Sequence, residues 1–316
     1  MKLYTINTGY FKLDGGAMFG VVPKSIWNKL NPSDENNMCS WALRCLLIED
    51  EGRLILIDNG MGDKQDAKFF GHYYLHGDDT LDKSLTQHGF TKDDITDVFL
   101  THLHFDHCGG SIIREGDNLI PAFKNATYWS NEPHWKWATE PNDREKASFL
   151  KENILPIQES GRLKFLNVSS ENPRSESSVV NTGATADFQL TTHASQLTPH
   201  ESPLTTYISP VTPHLSFFAM GGHTNCMMLP KINYNGKTIV FMADLLPSVA
   251  HIPLPYVMAY DMFPLTTLKE KKLFLAEAQQ NNYVLFFEHD PLIECCNLQM
   301  TEKGIRVKET FKLIDM

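Results

Sequence analysis

The stretch Thr101-His102-Leu103-His104-Phe105-Asp106-His107-Cys108-Gly109-Gly110 puts four metal-ligand side chains within six residues. His102 and His104 stand two apart, so an extended backbone turns both imidazoles to one side. Asp106 and His107 then need a sharp turn to face a second point nearby. The glycine pair after Cys108 suits such a turn, because glycine adopts backbone angles closed to other residues. One tetrahedral metal takes only three or four ligands, so three imidazoles and a carboxylate in one cluster are better used as halves of two adjacent sites. Scattered surface histidines are the bland alternative in a chain with 13 of them, but the H-x-H-x-D-H spacing is that of a metal motif.

The elements that position this motif can be read from the flanking pattern. The apolar, β-branched run 95–100 is the strand that delivers it. The same strand-then-ligand order recurs downstream. Strand 215–220 leads to Gly221-Gly222-His223, and strand 238–242 leads to Ala243-Asp244. A helix over about 266–280 leads to strand 283–287, which ends in Glu288-His289-Asp290. Upstream, strand 3–7 is followed by a pair, 41–48 and 54–57, joined by the polar turn Glu49-Asp50-Glu51-Gly52. Asp58-Asn59-Gly60 then turns the chain, with Asp58 available to accept from a ligand histidine's second N–H. Asp14-Gly15-Gly16-Ala17-Met18-Phe19-Gly20 reads as a glycine-rich loop whose Met18 and Phe19 either line an apolar substrate channel or pack in the core. Helices are expected over 80–88, stopped by Gly89, over 131–139 after strand 126–129 and a Ser130 cap, and over 142–153. Every ligand candidate lies just past the C-terminal end of a strand, where loops leave a sheet on one common side. Two such halves predict an α/β chain folded as a four-layer αβ/βα sandwich, one domain with its site between the sheets.

Composition narrows the function. The 316 residues are 42% hydrophobic, enough for a sizeable core, and the formal net charge of -10 argues against nucleic acid as a partner. No apolar run approaches the roughly 20 residues of a membrane span, and the N-terminus alternates like a strand, so the expectation is a cytoplasmic protein with no membrane partner. The six cysteines lack zinc-ribbon spacing and read as reduced, mostly buried residues, including Cys108 and Cys226 beside the ligand candidates. Residues 168–213 are rich in Ser and Thr and interrupted by proline, the pattern of a polar, flexible surface insertion. His193, His200 and His214 in or beside it read as surface histidines.

Seven residues assemble from this pass: His102, His104, Asp106, His107, His223, Asp244 and His289. With them the sequence resembles the metallo-β-lactamase superfamily, in particular the branch containing N-acyl-homoserine-lactone lactonases and methyl-parathion hydrolase. The likeness covers nearly the whole chain outside 168–213. Besides the T-H-x-H-x-D-H motif it rests on the 14–24 loop, Ile57-Asp58-Asn59-Gly60, Gly222-His223-Thr224, Met242-Ala243-Asp244-Leu245 and Val257-Met258-Ala259-Tyr260-Asp261. The resemblance implies two Zn2+, with Fe, Co or Mn as substitutes. His102, His104 and His223 would hold one, Asp106, His107 and His289 the other, and Asp244 would bridge them together with a hydroxide. Metal lowers the pKa of a bound water to about 7, so the implied reaction is attack of that hydroxide on the lactone carbonyl of an N-acyl homoserine lactone (quorum quenching). Asp106 would protonate the leaving alkoxide. Met18, Phe19, Trp27 and Phe105 are the expected acyl contacts, and a homodimer is expected by analogy with related lactonases.

Two positions depart from the family pattern. A tyrosine that commonly follows the bridging Asp by three residues is replaced by Pro247, leaving His251, with Tyr260 behind it, as the candidate donor to the substrate carbonyl. The Gly-His usual after His-Thr-x is replaced by Cys226-Met227, so a second histidine is missing. The nearest rival function is an organophosphate triesterase, or another ester or thioester hydrolase, on the same dimetal site. No basic C-terminal helix for glutathione is visible, and Asp244 stands where many β-lactamases carry Cys. A non-catalytic sensor built on the same fold is the rival from another class, and retention of all seven ligands speaks against it.

Overall fold

The computed structural model describes residues 1–168 and 204–316. Its first half forms strands β1 (Lys2–Asp14), β2 (Met38–Asp50), β3 (Arg53–Ile57), β4 (Asp97–Phe99), a small hairpin β5 (Ile112–Glu115) and β6 (Asn118–Pro121), β7 (Thr127–Asn131) and β8 (Leu163–Leu166). The second half adds β9 (Thr206–Ile208), β10 (Leu215–Met220), β11 (Met227–Tyr234), β12 (Lys237–Phe241), β13 (Val284–Phe286), β14 (Cys295–Thr301) and β15 (Gly304–Phe311). Short helices α1 (Gly15–Phe19), α2 (Lys24–Trp27), α3 (Ala67–Tyr73), α4 (Leu81–Gln87) and α5 (Phe105–Cys108) fall in the first half. They are followed by α6 (Glu132–Thr139), α7 (Lys151–Glu159) and the longest, α8 (Pro264–Gln280).

Two sheets result, ordered β1-β2-β3-β4-β7-β8 and β15-β14-β13-β12-β11-β10-β9. Strands β3, β4, β7 and β8 run parallel, as do β12 and β13, so the strand-to-loop exits that carry ligands share a direction within each half. Alternation along the strands builds the layers. Leu46, Ile48, Ile55, Ile57 and Phe99 face the second sheet and join Phe217, Leu229, Phe241 and Phe286 in one core. Cys45, Leu47, Leu56 and Val98 face the other way, onto Leu85 of α4, Trp135 of α6 and Ile154 and Ile157 of α7. Helix α8 contributes Phe274, Leu275 and Ala278 on the second sheet. The architecture is the four-layer αβ/βα sandwich.

Several local expectations are revised. The glycine-rich stretch after β1 is helix α1, capped by Asp14, whose side chain accepts from Ala17 N at 2.8 Å. Gly15 is required there because a Cβ would lie 2.4 Å from the Trp27 ring. The helix expected over 142–153 is instead a turn followed by α7. Asn142 Oδ1 accepts from Arg144 N and Glu145 N, an Asx turn that competes with helix. The segment 204–213, expected within a flexible insertion, holds edge strand β9 and the buried residues Ser209, Val211 and Thr212, with Thr212 hydrogen-bonded to Asp50. His214 is likewise tied down, Nδ1 to Asp50 at 2.9 Å. His193, His200 and most of the expected insertion lie outside the described residues.

Candidate metal centre

The seven expected ligands do converge. His102, His104, His223 and Asp244 form one group of donor atoms and Asp106, His107 and His289 another, each within 4.8 Å. All seven are buried. His102 Nε2 faces His104 Nδ1 at 3.1 Å, His223 Nε2 faces His104 Nδ1 at 3.2 Å, and His289 Nε2 faces His107 Nε2 at 3.2 Å. Asp244 lies between the groups, Oδ2 3.0 Å from His223 Nε2 and Oδ1 3.2 Å from His289 Nε2. Asp106 Oδ2 is 3.8 Å from both His107 Nε2 and His289 Nε2.

The outward nitrogens decide what the inward ones can be. His223 Nδ1 meets Asp261 at 2.8 Å, His104 Nε2 meets Glu145 at 3.0 Å, and His289 Nδ1 meets the Ala42 carbonyl at 2.8 Å. His107 Nδ1 lies 3.0 Å from Asp58 and 3.0 Å from Glu288. Thr101 Oγ1 gives its hydrogen to Asp58 at 2.6 Å and so accepts from His102 Nδ1 at 3.1 Å. Each ring therefore spends its N–H outward, leaving neutral lone pairs pointed at one another across about 3 Å. That arrangement is repulsive unless a metal ion or a proton lies between them. Asp244 Oδ1 is buried with no hydrogen-bond partner, and supports the same conclusion. The donor set, imidazole and carboxylate, fits two divalent ions of the zinc or iron type.

Electrostatics without cations are consistent. Burial pushes His223 down, but Asp244 and Asp261 outweigh it and raise the ring to about 10. Burial also disfavours the Asp244 charge, yet His223, His107 and His289 hold its carboxyl well below the usual range. Glu145 follows suit: burial would raise it, and the His104 contact together with Thr224 and Trp137 brings it to about 2. Glu288 goes the other way, up to about 8, because burial and nearby Asp58 oppose its charge more than His107 favours it.

The backbone builds these positions at a cost. Asp58 and Ala243, each just past a strand of the site, adopt left-handed backbone angles, φ 53° and 40°, which non-glycine residues rarely hold. Gly109 and Gly110 are not there for special angles, since Gly109 has φ -61°. They are there for space: a Cβ would lie 2.1 Å from the Met61 carbonyl oxygen and 2.3 Å from that of Asn59, respectively. His134 joins the two ligand loops across the halves, its Nε2 accepting from Leu103 N at 2.9 Å and its Nδ1 donating to the Asn225 carbonyl at 2.6 Å. Sequence reading had no signal for His134 or Glu145. Asp261 belongs to the Val257-Met258-Ala259-Tyr260-Asp261 stretch, and only the fold shows that it meets His223. Cys108 is not a ligand, since its Sγ turns to the Leu103 carbonyl at 3.3 Å.

A cavity of about 320 Å³ opens onto the site, with His104, Asp106, His223, Asp244 and His289 at its base. Its walls include Leu13, Met18, Tyr73, Phe105, Met258 and Tyr260. Met18, Phe105 and Tyr260 thus stand where substrate contacts were expected. Phe19 and Trp27 do not: both are buried behind the wall, their rings stacked 5.3 Å apart. His251 is also withdrawn from the cavity, contrary to its expected donor role. Its Nδ1 meets Ser248 Oγ at 2.8 Å, its Nε2 meets the Met18 carbonyl at 3.0 Å, and its ring stacks on Phe19. Burial brings that ring down to about 3, so it is a neutral strut under the Met18 wall. The 253–256 segment is pinned by Lys271, whose Nζ donates to the carbonyls of Pro253, Leu254 and Tyr256 at 2.8, 3.4 and 2.9 Å.

Residues 44–289 match the model of the metallo-beta-lactamase superfamily, and the chain belongs to that superfamily. Among curated proteins it is 27% identical over 165 residues to N-acyl homoserine lactonase AiiA of Bacillus thuringiensis subsp. kurstaki, covering 49% of this chain and 56% of that one. The chain therefore spans little more than half the length of that relative. A probable metal-dependent hydrolase from Staphylococcus aureus superposes with a TM-score of 0.78 at 24% identity, covering 98% of this chain and 96% of the other. AidC, a dizinc quorum-quenching lactonase crystallised with a product, N-hexanoyl-L-homoserine, gives 0.71 at 20% identity, with 98% and 95% covered. No helix among the described residues is long and apolar enough to cross a membrane.

Proposed function

We propose that this chain opens the lactone ring of N-acyl homoserine lactones at a dinuclear centre, zinc first and iron, cobalt or manganese as substitutes. The observation that carries the reading is the ligand-sized, largely apolar-walled cavity ending directly on His104, Asp106, His223, Asp244 and His289. The similarity to N-acyl homoserine lactonases supports the substrate class. His102, His104 and His223 would hold one ion and Asp106, His107 and His289 the other, with Asp244 shared. The pair supplies Lewis-acid polarisation of the carbonyl and an activated water at neutral pH.

The protein's own groups do the rest. Met18, Phe105 and Tyr260 line the cavity, and in this reading Met18 and Phe105 flank the acyl side and exclude water from it. Asp106 faces the cavity, and in this reading it takes the proton released by the attacking water and returns it to the leaving alkoxide oxygen. A small neutral ester is what a cavity of this size and lining accepts. The net charge of -10 and the cavity's dimensions disfavour a polynucleotide. A cytoplasmic location and a homodimer complete the proposal, to be checked by cell fractionation and sedimentation.

The deciding experiment gives metal-quantified protein a short- and a long-chain acyl homoserine lactone beside a neutral aryl phosphotriester. Ring opening that disappears on chelation and returns with zinc is expected. Robust phosphotriester hydrolysis with no lactone turnover would overturn the lactonase reading in favour of the triesterase.

A further inference from the structure

A tetrahedral oxyanion forming in this cavity calls for a preorganised hydrogen-bond donor. Among the described lining residues, the donors outside the ligand set are Tyr73, Arg144, Ser148 and Tyr260. Arg144 is exposed and spends Nη2 on the Ala259 carbonyl, which ties it to the cavity mouth. Ser148 lies on the Glu145 side, its N bonded to the Glu145 carbonyl at 2.8 Å and its own carbonyl to Phe105 N at 3.0 Å. Tyr260 keeps 39% of its surface exposed.

Tyr73 is different in how it is held. It is the last residue of α3, a helix started by Asp66, whose side chain accepts from Phe69 N at 2.8 Å. Its ring is wedged against Phe69, centroids 5.0 Å apart, and against Phe105, centroids 4.6 Å apart. Phe105 sits between the ligand candidates His104 and Asp106, so the Tyr73 ring is registered to the site through one contact. Its hydroxyl has no hydrogen-bond partner among the described residues. Burial and the Asp106 charge push that hydroxyl up to about 12.

We propose that Tyr73 contacts the substrate, donating its phenolic hydrogen to the carbonyl oxygen of the ester being cleaved and stabilising the oxyanion that develops there. The hydroxyl keeps its proton throughout, so no bond to it is made or broken. This rests on the ester-hydrolase reading above.

The test compares Tyr73→Phe with the unaltered protein and with Tyr74→Phe, a half-exposed neighbour outside the cavity. The expected result is a fall in kcat of about a hundredfold for Tyr73→Phe, KM changing little, at unchanged metal content and melting temperature. Calorimetric affinity for the ring-opened acyl homoserine, whose carboxylate presents the same oxygen, is expected to drop about tenfold or more. Tyr74→Phe should match the unaltered protein in both. An unchanged kcat in Tyr73→Phe, or a loss that appears only in Tyr260→Phe, overturns the assignment. Turnover by the unaltered protein separates the two readings. If it opens no lactone, the substrate proposal fails, and Tyr73 is judged by the same kcat loss on whichever ester or phosphotriester it does cleave.

Discussion

Glu145 takes His104 Nε2 at 3.0 Å, and His104 consequently turns Nδ1 towards His102 and His223. Its neighbour in the motif, His102, does the reverse, offering Nε2 because Nδ1 is held by Thr101. Two histidines two residues apart thus reach one point with different atoms, and the partners outside the ring choose which.

Replacing those partners should therefore loosen metal without removing a ligand. Glu145→Gln and Asp261→Asn are each expected to weaken metal affinity by about 10–100-fold while circular dichroism stays native. His104→Ala and Asp244→Ala should abolish turnover in a folded protein. Competition with a chromophoric chelator reads the first pair, and an Asp244→Ala variant with near-normal turnover would defeat the shared-ligand assignment.

Removing the cations leaves facing imidazoles and carboxylates to find protons. Because His223 is raised to about 10 and His107 and His289 are also raised, metal-free protein holds protons here at neutral pH. Loading the site must expel them, so affinity should climb with pH. Calorimetry of zinc binding in buffers of different ionisation enthalpy measures the release. Melting should shift as well, with about 4 kcal/mol of added stability when free zinc exceeds its Kd a thousandfold. Binding with no proton exchange would count against neutral histidine ligation.

Lys271 gives the pH dependence a second, separable component. Burial brings its ammonium down from 10.5 to about 7, against the pull of Asp261. Between those values the unfolded chain binds the extra proton, so stability rises with pH, by at most about 1.4 kcal/mol per unit. As pH falls through about 7 the folded state takes up the proton and the gain is lost. Urea midpoints of the unaltered protein and Lys271→Met should accordingly diverge from pH 7 to pH 9. A constant offset would mean that Lys271 acts only through its carbonyl contacts.

Gly222 precedes His223 where the loop crosses α8. A Cβ there would lie 2.4 Å from Thr267 N and 2.3 Å from Thr267 Oγ1, and backbone cannot yield as a side chain end can. The amides of Gly221 and Gly222 are also both held by Glu270 at 2.9 Å. Gly222→Ala should cost about 1–3 kcal/mol and displace His223. Chemical denaturation and metal content together check it, and a native midpoint would refute the close approach.

The ligands were legible because their types, spacing and strand-end positions all repeat a local rule. Asp58 was legible for the same reason, falling where a turn leaves β3. Glu145 and His134 were not, because they reach the site across the fold from a turn and a helix with no metal-like spacing of their own. His251 misled in the opposite sense: a histidine near Asp244 in sequence looked available, but packing on Phe19 and bonds to Ser248 and Met18 use both nitrogens. Phe19 sits on a glycine-rich segment that sequence cannot distinguish from an open loop, and stacking on Trp27, itself seated against Gly15, buries both.

Each of the two ion positions draws donors from before β8 and from after β9, and His134 and the backbone bonds Ala42 N to His289 O and Arg44 N to Glu288 O cross the same divide. Neither piece of a chain severed between β8 and β9 would own a complete donor set. Zinc would then behave as an adhesive between fragments, tightening their reassociation by the same factor that reassociation tightens zinc.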